Sequence, residues 1–134
     1  MNLDPVGKAL YETIERELPP FFTYHSAAAL RVHIALGQEL ALAAGLTETQ
    51  TQAVCWALIG HTIGWLYDYD NPFTEGPQAL AEMLEELDAA AATAQLAVRL
   101  LAELAQQPRH DDPAAQVLAD TLAADLADEQ LYQR

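Results

Sequence analysis

Hydrophobic residues recur at every third or fourth position along most of the chain, which is the spacing of one face of an α-helix. The first such segment follows Asp4 and Pro5, a helix cap and a first-turn proline. It runs to the proline pair at residues 19–20, and its apolar stripe consists of Val6, Leu10, Ile14 and Leu18. These signals predict a first amphipathic helix.

Two more helices are predicted from similar start and stop signals. The second runs from about Ser26 to Ala44, where Gly45 is a typical stop. The third begins with Thr47 and Gln50, which match a capping box, and continues to about Ile59. It is apolar nearly all round, so we expect it at the centre of the fold.

Similar start and stop signals for helices occur in the second half of the chain. A fourth helix is predicted over residues 77–87, and Asp88 is expected to cap a fifth helix that ends near Gln106. Asp112 and Pro113 start a last helix, which ends near Tyr132. The predicted fold is all-α, an irregular bundle of about six helices that forms one domain over residues 1–134.

Composition narrows the possible functions. The chain carries a net charge of -14, so nucleic acids and anionic membranes should repel it. No apolar run reaches membrane-spanning length, and the single cysteine, Cys55, lies in an apolar segment where an inert, buried thiol is expected. These features predict a cytoplasmic protein without nucleic-acid or membrane partners.

The histidines are the first candidates for a metal site. His25 and His33 are eight residues apart, or about 12 Å along a helix, too far to share one ion. The position between them is Ala29, which has no ligand atom. His61 follows an apolar run and precedes the loop "YDYDNP", in which Asp68 and Asp70 fit turn and cap positions.

The segment "GHTIGWLYDYDNPFTEGPQALA", with an upstream "YH" at Tyr24 and His25, resembles the HD superfamily of metal-dependent phosphohydrolases. The resemblance covers residues 22–131 and implies an HD-domain fold. Family members hold a divalent metal with a histidine of an entry motif, an adjacent His-Asp pair and a late aspartate. Here the pair falls on His61 and Thr62, and the entry histidine falls on Ala29.

The late aspartate of the family falls on Asp120 in "VLADTLAADLADEQL", with Asp125 as the alternative register. Of the four vestigial positions, only His61 and Asp120 keep a ligand type, whereas a catalytic metal generally has three or more protein ligands. The remaining positions expected to line the pocket are Tyr24, His25, Arg31, Asp68 and Asp70.

The resemblance therefore implies a degenerate HD-domain protein without phosphohydrolase activity. It would act as a structural, interaction or small-ligand-binding module, with no cofactor. The alternative is a divergent phosphohydrolase on a nucleotide or other phosphate ester, in which substitute ligands hold a divalent metal (Fe, Mn, Ni, Zn or Mg). Either version could bind a small phosphorylated ligand.

A homodimer or a protein partner is also expected. Residues 68–88 contain seven Asp or Glu and no Lys or Arg, so this segment should stay solvated between like-charged copies. The less charged faces of the first helix and of the fifth helix are the preferred contact surfaces. On the fifth helix the expected stripe consists of Leu96, Leu100 and Leu104.

Overall fold

The computed structural model contains six α-helices and no strand within the residues it describes. The described backbone covers residues 2–17, 27–67, 72–104, 106 and 111–132; the described side chains are those of the same residues except 27, 65–67, 72–75 and 125–132. The helices are α1 (Pro5–Glu17), α2 (Ala27–Ala43), α3 (Glu48–Tyr67), α4 (Pro72–Glu86), α5 (Ala91–Leu104) and α6 (Pro113–Tyr132). The predicted all-α class is confirmed. Across the described part of the chain, no helix is both long and apolar enough to cross a membrane.

Helix α3 packs against each of the other five helices. Residues 53–60 are all buried, and Trp56 is the largest side chain among the most deeply buried ones. Because α3 is apolar on all sides, the bundle can bury it only by surrounding it. The other helices each contribute one apolar face, for example Leu10 of α1 and Leu100 of α5.

The helix starts follow the predicted caps. The Thr47 backbone N–H donates to the Gln50 side-chain oxygen at 2.9 Å, and the Gln50 N–H donates to the Thr47 hydroxyl at 3.1 Å. This is the reciprocal bonding of a capping box. At the start of α6, the Ala114 N–H donates to the Asp112 carboxylate at 3.0 Å. Both predicted caps are confirmed.

Residues in the left-handed backbone region end α2 and α4. Gly45 has a φ of 72°, and the Leu46 N–H donates to the Ala41 carbonyl at 3.0 Å, as in a Schellman motif. Asp88 has a φ of 53°, and its N–H donates to the Glu85 carbonyl at 3.0 Å. The prediction that Asp88 caps the fifth helix is therefore wrong, because Asp88 forms the C-terminal cap of α4.

The predicted end of α3 near Ile59 is also wrong, since the helix continues to Tyr67. Gly60 does not stop the helix; it lets neighbouring helices approach. A Cβ atom on Gly60 would lie 2.7 Å from Leu80 Cδ2 of α4 and 2.9 Å from Leu101 Cδ2 of α5. Gly76 extends this contact, because a Cβ there would lie 3.2 Å from the Gly60 carbonyl oxygen. Helix α4 begins at Pro72, earlier than the predicted residue 77, and includes Pro77.

The N-terminus of α1 is joined to α3 by one carboxylate. Asp4 Oδ2 accepts from the Gly7 N–H at 3.3 Å, and Asp4 Oδ1 accepts from Trp56 Nε1–H at 2.9 Å. The predicted cap thus also satisfies the indole donor of Trp56, whose side chain is buried. The cap role was predictable from sequence, whereas the long-range bond was not.

The apolar stripe of α5 lies inside the fold. Leu100 is 1% exposed and belongs to the core, and Leu96 and Leu104 are partly buried and pack against that core. Leu100 is therefore closed to a partner, and the dimer contact on the less charged face of this helix stays a prediction. The stripe of α1 is buried in the same way, with Leu10 and Ile14 fully inside.

Candidate functional site

His61 and Thr62 lie inside α3, after the buried segment of residues 53–60. Thr62 is 6% exposed, while His61 is half-buried. The Thr62 hydroxyl lies 3.5 Å from the Leu58 carbonyl oxygen, one turn earlier on the same helix. This long bond returns the hydroxyl to its own helix, so the side chain is a neutral polar group in a buried position.

Helices α2, α3 and α6 meet at Gly37. A Cβ atom on Gly37 would lie 2.9 Å from Leu58 Cδ1 of α3 and 3.6 Å from Thr121 Oγ1 of α6. Thr121 is fully buried, and its hydroxyl donates to the Val117 carbonyl at 2.7 Å. This close approach fixes which faces of the three helices point toward one another.

Thr62 belongs to the face of α3 that meets this junction, because it follows Leu58 by one helical turn. Helices α2 and α3 are joined by residues 44–47 and run antiparallel. One turn forward on α3, from Leu58 to Thr62, therefore corresponds to one turn back on α2 from Gly37. The residue at that position is His33, which is half-buried. The sequence alone gives His33 no role, although its spacing of four from Gly37 was the available signal.

Ala29 lies one further turn toward the start of α2, on the same row as His33 and Gly37. It is half-buried, and its methyl group supplies no ligand atom. Ala29, His33 and Gly37 therefore form one row along α2, and Gly37 of that row faces α3 and α6.

Of the two late aspartates, Asp120 has a described side chain. Asp120 is exposed, and its Oδ1 accepts from Gln116 Nε2–H at 2.8 Å. Its neighbour Thr121 points into the junction of α2 and α3 instead. Asp125 follows Thr121 by four residues, the spacing that repeats a helix face. The side chain of Asp125 lies outside the described residues, so the choice between the two registers stays a prediction.

The remaining predicted pocket residues divide between the surface and the part of the chain that is not described. Arg31 is exposed, and its Cζ lies 5.7 Å from the centre of the Tyr11 ring, so it contacts α1. The other four, which lie outside the described residues, are Tyr24, His25, Asp68 and Asp70.

Cys55 lies on α3 beside Gln38 of α2. Burial, with the nearby Asp4 charge as the second cause, raises the pKa of its thiol to about 11, although a hydrogen bond from Gln38 acts the other way. The side chain is 3% exposed. The prediction of a buried thiol is confirmed, and such a group is a poor nucleophile near neutral pH.

A groove of about 610 Å³ lies along the contact between α4 and α5. Five of its eleven lining residues are alanines, and Glu85, Asp88 and Arg99 are also present. Arg99 is already paired with Asp112 at 3.2 Å, so its charge is compensated. Among the side chains that are described, no three His, Cys, Asp or Glu residues are grouped so that they could hold a metal ion.

Comparison with known proteins gives no relative: no family model, no curated protein and no solved structure matches this chain.

Proposed function

We propose that this chain is a degenerate HD-domain protein that does not hydrolyse phosphate esters and acts as an interaction or small-ligand-binding module. The motif "GHTIGWLYDYDNP" supports the family, and the replaced ligand positions support the loss of activity. In such sites an aspartate supplies an oxygen ligand and a negative charge to a divalent ion.

The observation that carries the proposal is the environment of Thr62. This side chain is 6% exposed, and its hydroxyl is turned toward the Leu58 carbonyl. A carboxylate buried at the same place would cost several kcal/mol unless a cation or hydrogen bonds compensated it. A neutral threonine avoids that cost, so this position is suited to an interior without metal.

The test is to restore the family's ligand types with Ala29→His and Thr62→Asp together. Without metal, the buried carboxylate should lower the melting temperature of this double variant. With 1 mM Mn²⁺ and a site of about 10 μM affinity, binding would add about 2.7 kcal/mol, which is a rise of several degrees. The tag-free parent should show no Mn²⁺-dependent shift and no hydrolysis of p-nitrophenyl phosphate.

Thr93→Asp is the matched control, because Thr93 is a buried threonine of α5, 5% exposed. It should be destabilised like the double variant but not rescued by Mn²⁺. If the double variant does not fold, Ala29→His with Thr62→Asn tests the same geometry with a neutral oxygen ligand.

Two results would contradict the proposal. If the folded double variant gains no affinity for Mn²⁺, the residue assignment from the HD family is wrong. If the parent binds about one Mn²⁺ per chain and hydrolyses the ester, and His61→Ala abolishes both, the chain is instead a divergent phosphohydrolase with substitute ligands.

A further inference from the structure

Helix α2 exposes an apolar surface on the side away from the core. The outer face of α2 consists of Ala28, Arg31, Val32, Ala35, Glu39 and Leu42, all of which are exposed. Val32 is 63% exposed and Leu42 is 84% exposed. With Leu87, which directly follows α4, they are the three exposed large hydrophobic residues among those described, so two of the three lie on this one face.

The opposite side of α2 already serves the core. Leu30, Ile34 and Ala41 are at most 2% exposed, and Gly37 faces α3 and α6. The helix is therefore fixed in the bundle by its inner residues. Val32 and Leu42 add nothing to that core, so exposing them costs solubility without helping the fold of a single chain.

The charge of this face suits a second copy of the chain. The net charge is -14, so two copies repel through most of their surfaces. Helix α2 carries one arginine and one glutamate, and apart from His33 it has no other ionisable residue. It therefore offers like-charged copies a long surface with no net charge.

The two charges on α2 are also placed symmetrically. Arg31 lies four residues before Ala35, and Glu39 lies four residues after it, so each is about 6 Å along the helix axis from the small central residue. Rows of residues spaced by four are the ridges that interdigitate in the commonest helix packing. A two-fold axis at Ala35 aligns this row antiparallel to its copy, with Arg31 of each chain opposite Glu39 of the other.

We propose that the chain forms a homodimer in which the outer faces of two α2 helices pack antiparallel about a two-fold axis at Ala35. This dimer interface would provide the interaction role proposed above. Only that role, and not the interface itself, rests on the proposed function. The face is about 25 Å long, the length of a 17-residue helix. One helix pair falls at the small end of specific interfaces, so we expect a dissociation constant in the micromolar range.

The experiment uses charge reversal in the full chain, followed by sedimentation velocity from about 1 to 500 μM. Arg31→Glu places two glutamates opposite each other at both ends of the interface, and Glu39→Arg does the same with arginines. Each single variant should dimerise about tenfold more weakly, or worse. The double variant, Arg31→Glu with Glu39→Arg, should regain most of the parent affinity.

Mixing the two single variants gives the most specific result. In a mixed dimer, the chain with Arg31→Glu presents two glutamates and the chain with Glu39→Arg presents two arginines, so both pairs across the interface become attractive. An equimolar mixture should therefore associate more strongly than either variant alone. Loss of the Arg31–Tyr11 contact cannot produce this recovery, because it affects each chain separately.

The apolar part of the face has its own matched pair. Leu42→Gln should weaken the dimer about tenfold, whereas Leu87→Gln, which changes the exposed leucine that directly follows α4, should leave it unchanged. A monomeric parent at 500 μM, or a dimer that tolerates Arg31→Glu and Leu42→Gln, would overturn the proposed interface. Neither result would alter the Mn²⁺ titration, so failure here is distinguishable from failure of the proposed function.

Discussion

Removing the Asp4 carboxylate should destabilise the protein more than removing an ordinary helix cap. Asp4 accepts a hydrogen bond from the Gly7 N–H at the start of α1 and another from Trp56 Nε1–H of α3, at 2.9 Å. The Trp56 side chain is 2% exposed, so water has little access to the indole donor after Asp4→Ala. The variant therefore loses a cap and also leaves a buried donor without its partner.

The two losses can be estimated separately. An N-cap replaced by alanine typically costs about 1 kcal/mol. A buried donor left unsatisfied costs about 1–3 kcal/mol. Asp4→Ala should therefore lower the free energy of unfolding by about 2–4 kcal/mol, which is roughly 10 °C in melting temperature for a domain of this size. Asp112→Ala, at the cap of α6, should cost nearer 1 kcal/mol, because it leaves a helix-end N–H and the exposed Arg99 guanidinium, whose surface ion pair adds little.

The assay is a double-mutant cycle by urea unfolding, followed by circular dichroism. Trp56→Phe removes the indole donor while keeping an aromatic ring, so Asp4→Ala should cost about 1–2 kcal/mol less in that background. Equal costs of Asp4→Ala in the parent and in Trp56→Phe, within about 0.3 kcal/mol, would show that the bond between α1 and α3 contributes nothing to stability.

Three further outcomes can be checked by unfolding measurements. Gly60→Ala would place a methyl group 2.7 Å from Leu80 Cδ2 and should cost about 1–3 kcal/mol; an unchanged urea midpoint would mean that α4 moves aside freely. Asp88→Gly should stabilise by about 0.5–1 kcal/mol, because glycine accepts the positive φ of this cap, and a loss of stability would contradict that reason. Stability should fall as the pH rises from about 9 to 11, since the thiol of Cys55 has its ordinary pKa of 9.0 in the unfolded chain and a pKa of about 11 when buried. Cys55→Ala should remove this component, about 2–3 kcal/mol, and an unchanged pH profile in that variant would assign the loss to other groups.

The features that could be predicted from sequence are those that depend on neighbours in the chain. Thr47 and Gln50 cap α3 as predicted, and Gly45 ends α2, because both signals act over three to five residues. The end of α3 was predicted wrongly because a glycine can either end a helix or let a neighbouring helix approach closely. Gly60 does the second, since it faces Leu80 and Leu101, which come from two later helices.

The candidate site shows the same division. The pattern around His61 and Thr62 is local and is visible in the sequence, but the burial of Thr62 depends on how α3 packs. Which residues of α6 face α2 depends on the rotation of α6, and a Cβ atom on Gly37 would lie 3.6 Å from Thr121 Oγ1. An error of one residue in the register turns a helix face by about 100°. Sequence spacing alone could therefore not choose between Asp120 and Asp125.

The four residues between α2 and α3 have a consequence for the order of folding. The Schellman motif at Gly45 is followed directly by the capping box at Thr47. One short segment therefore encodes the end of α2, the start of α3 and the reversal of the chain. Local contacts of this kind form early, because they require little loop closure. We expect the α2–α3 hairpin to form most of the transition state and to offer α3 as the surface on which the remaining helices assemble. Substitutions at Gly45 and Thr47 should then slow folding more than they speed unfolding, giving φ-values well above those of α1.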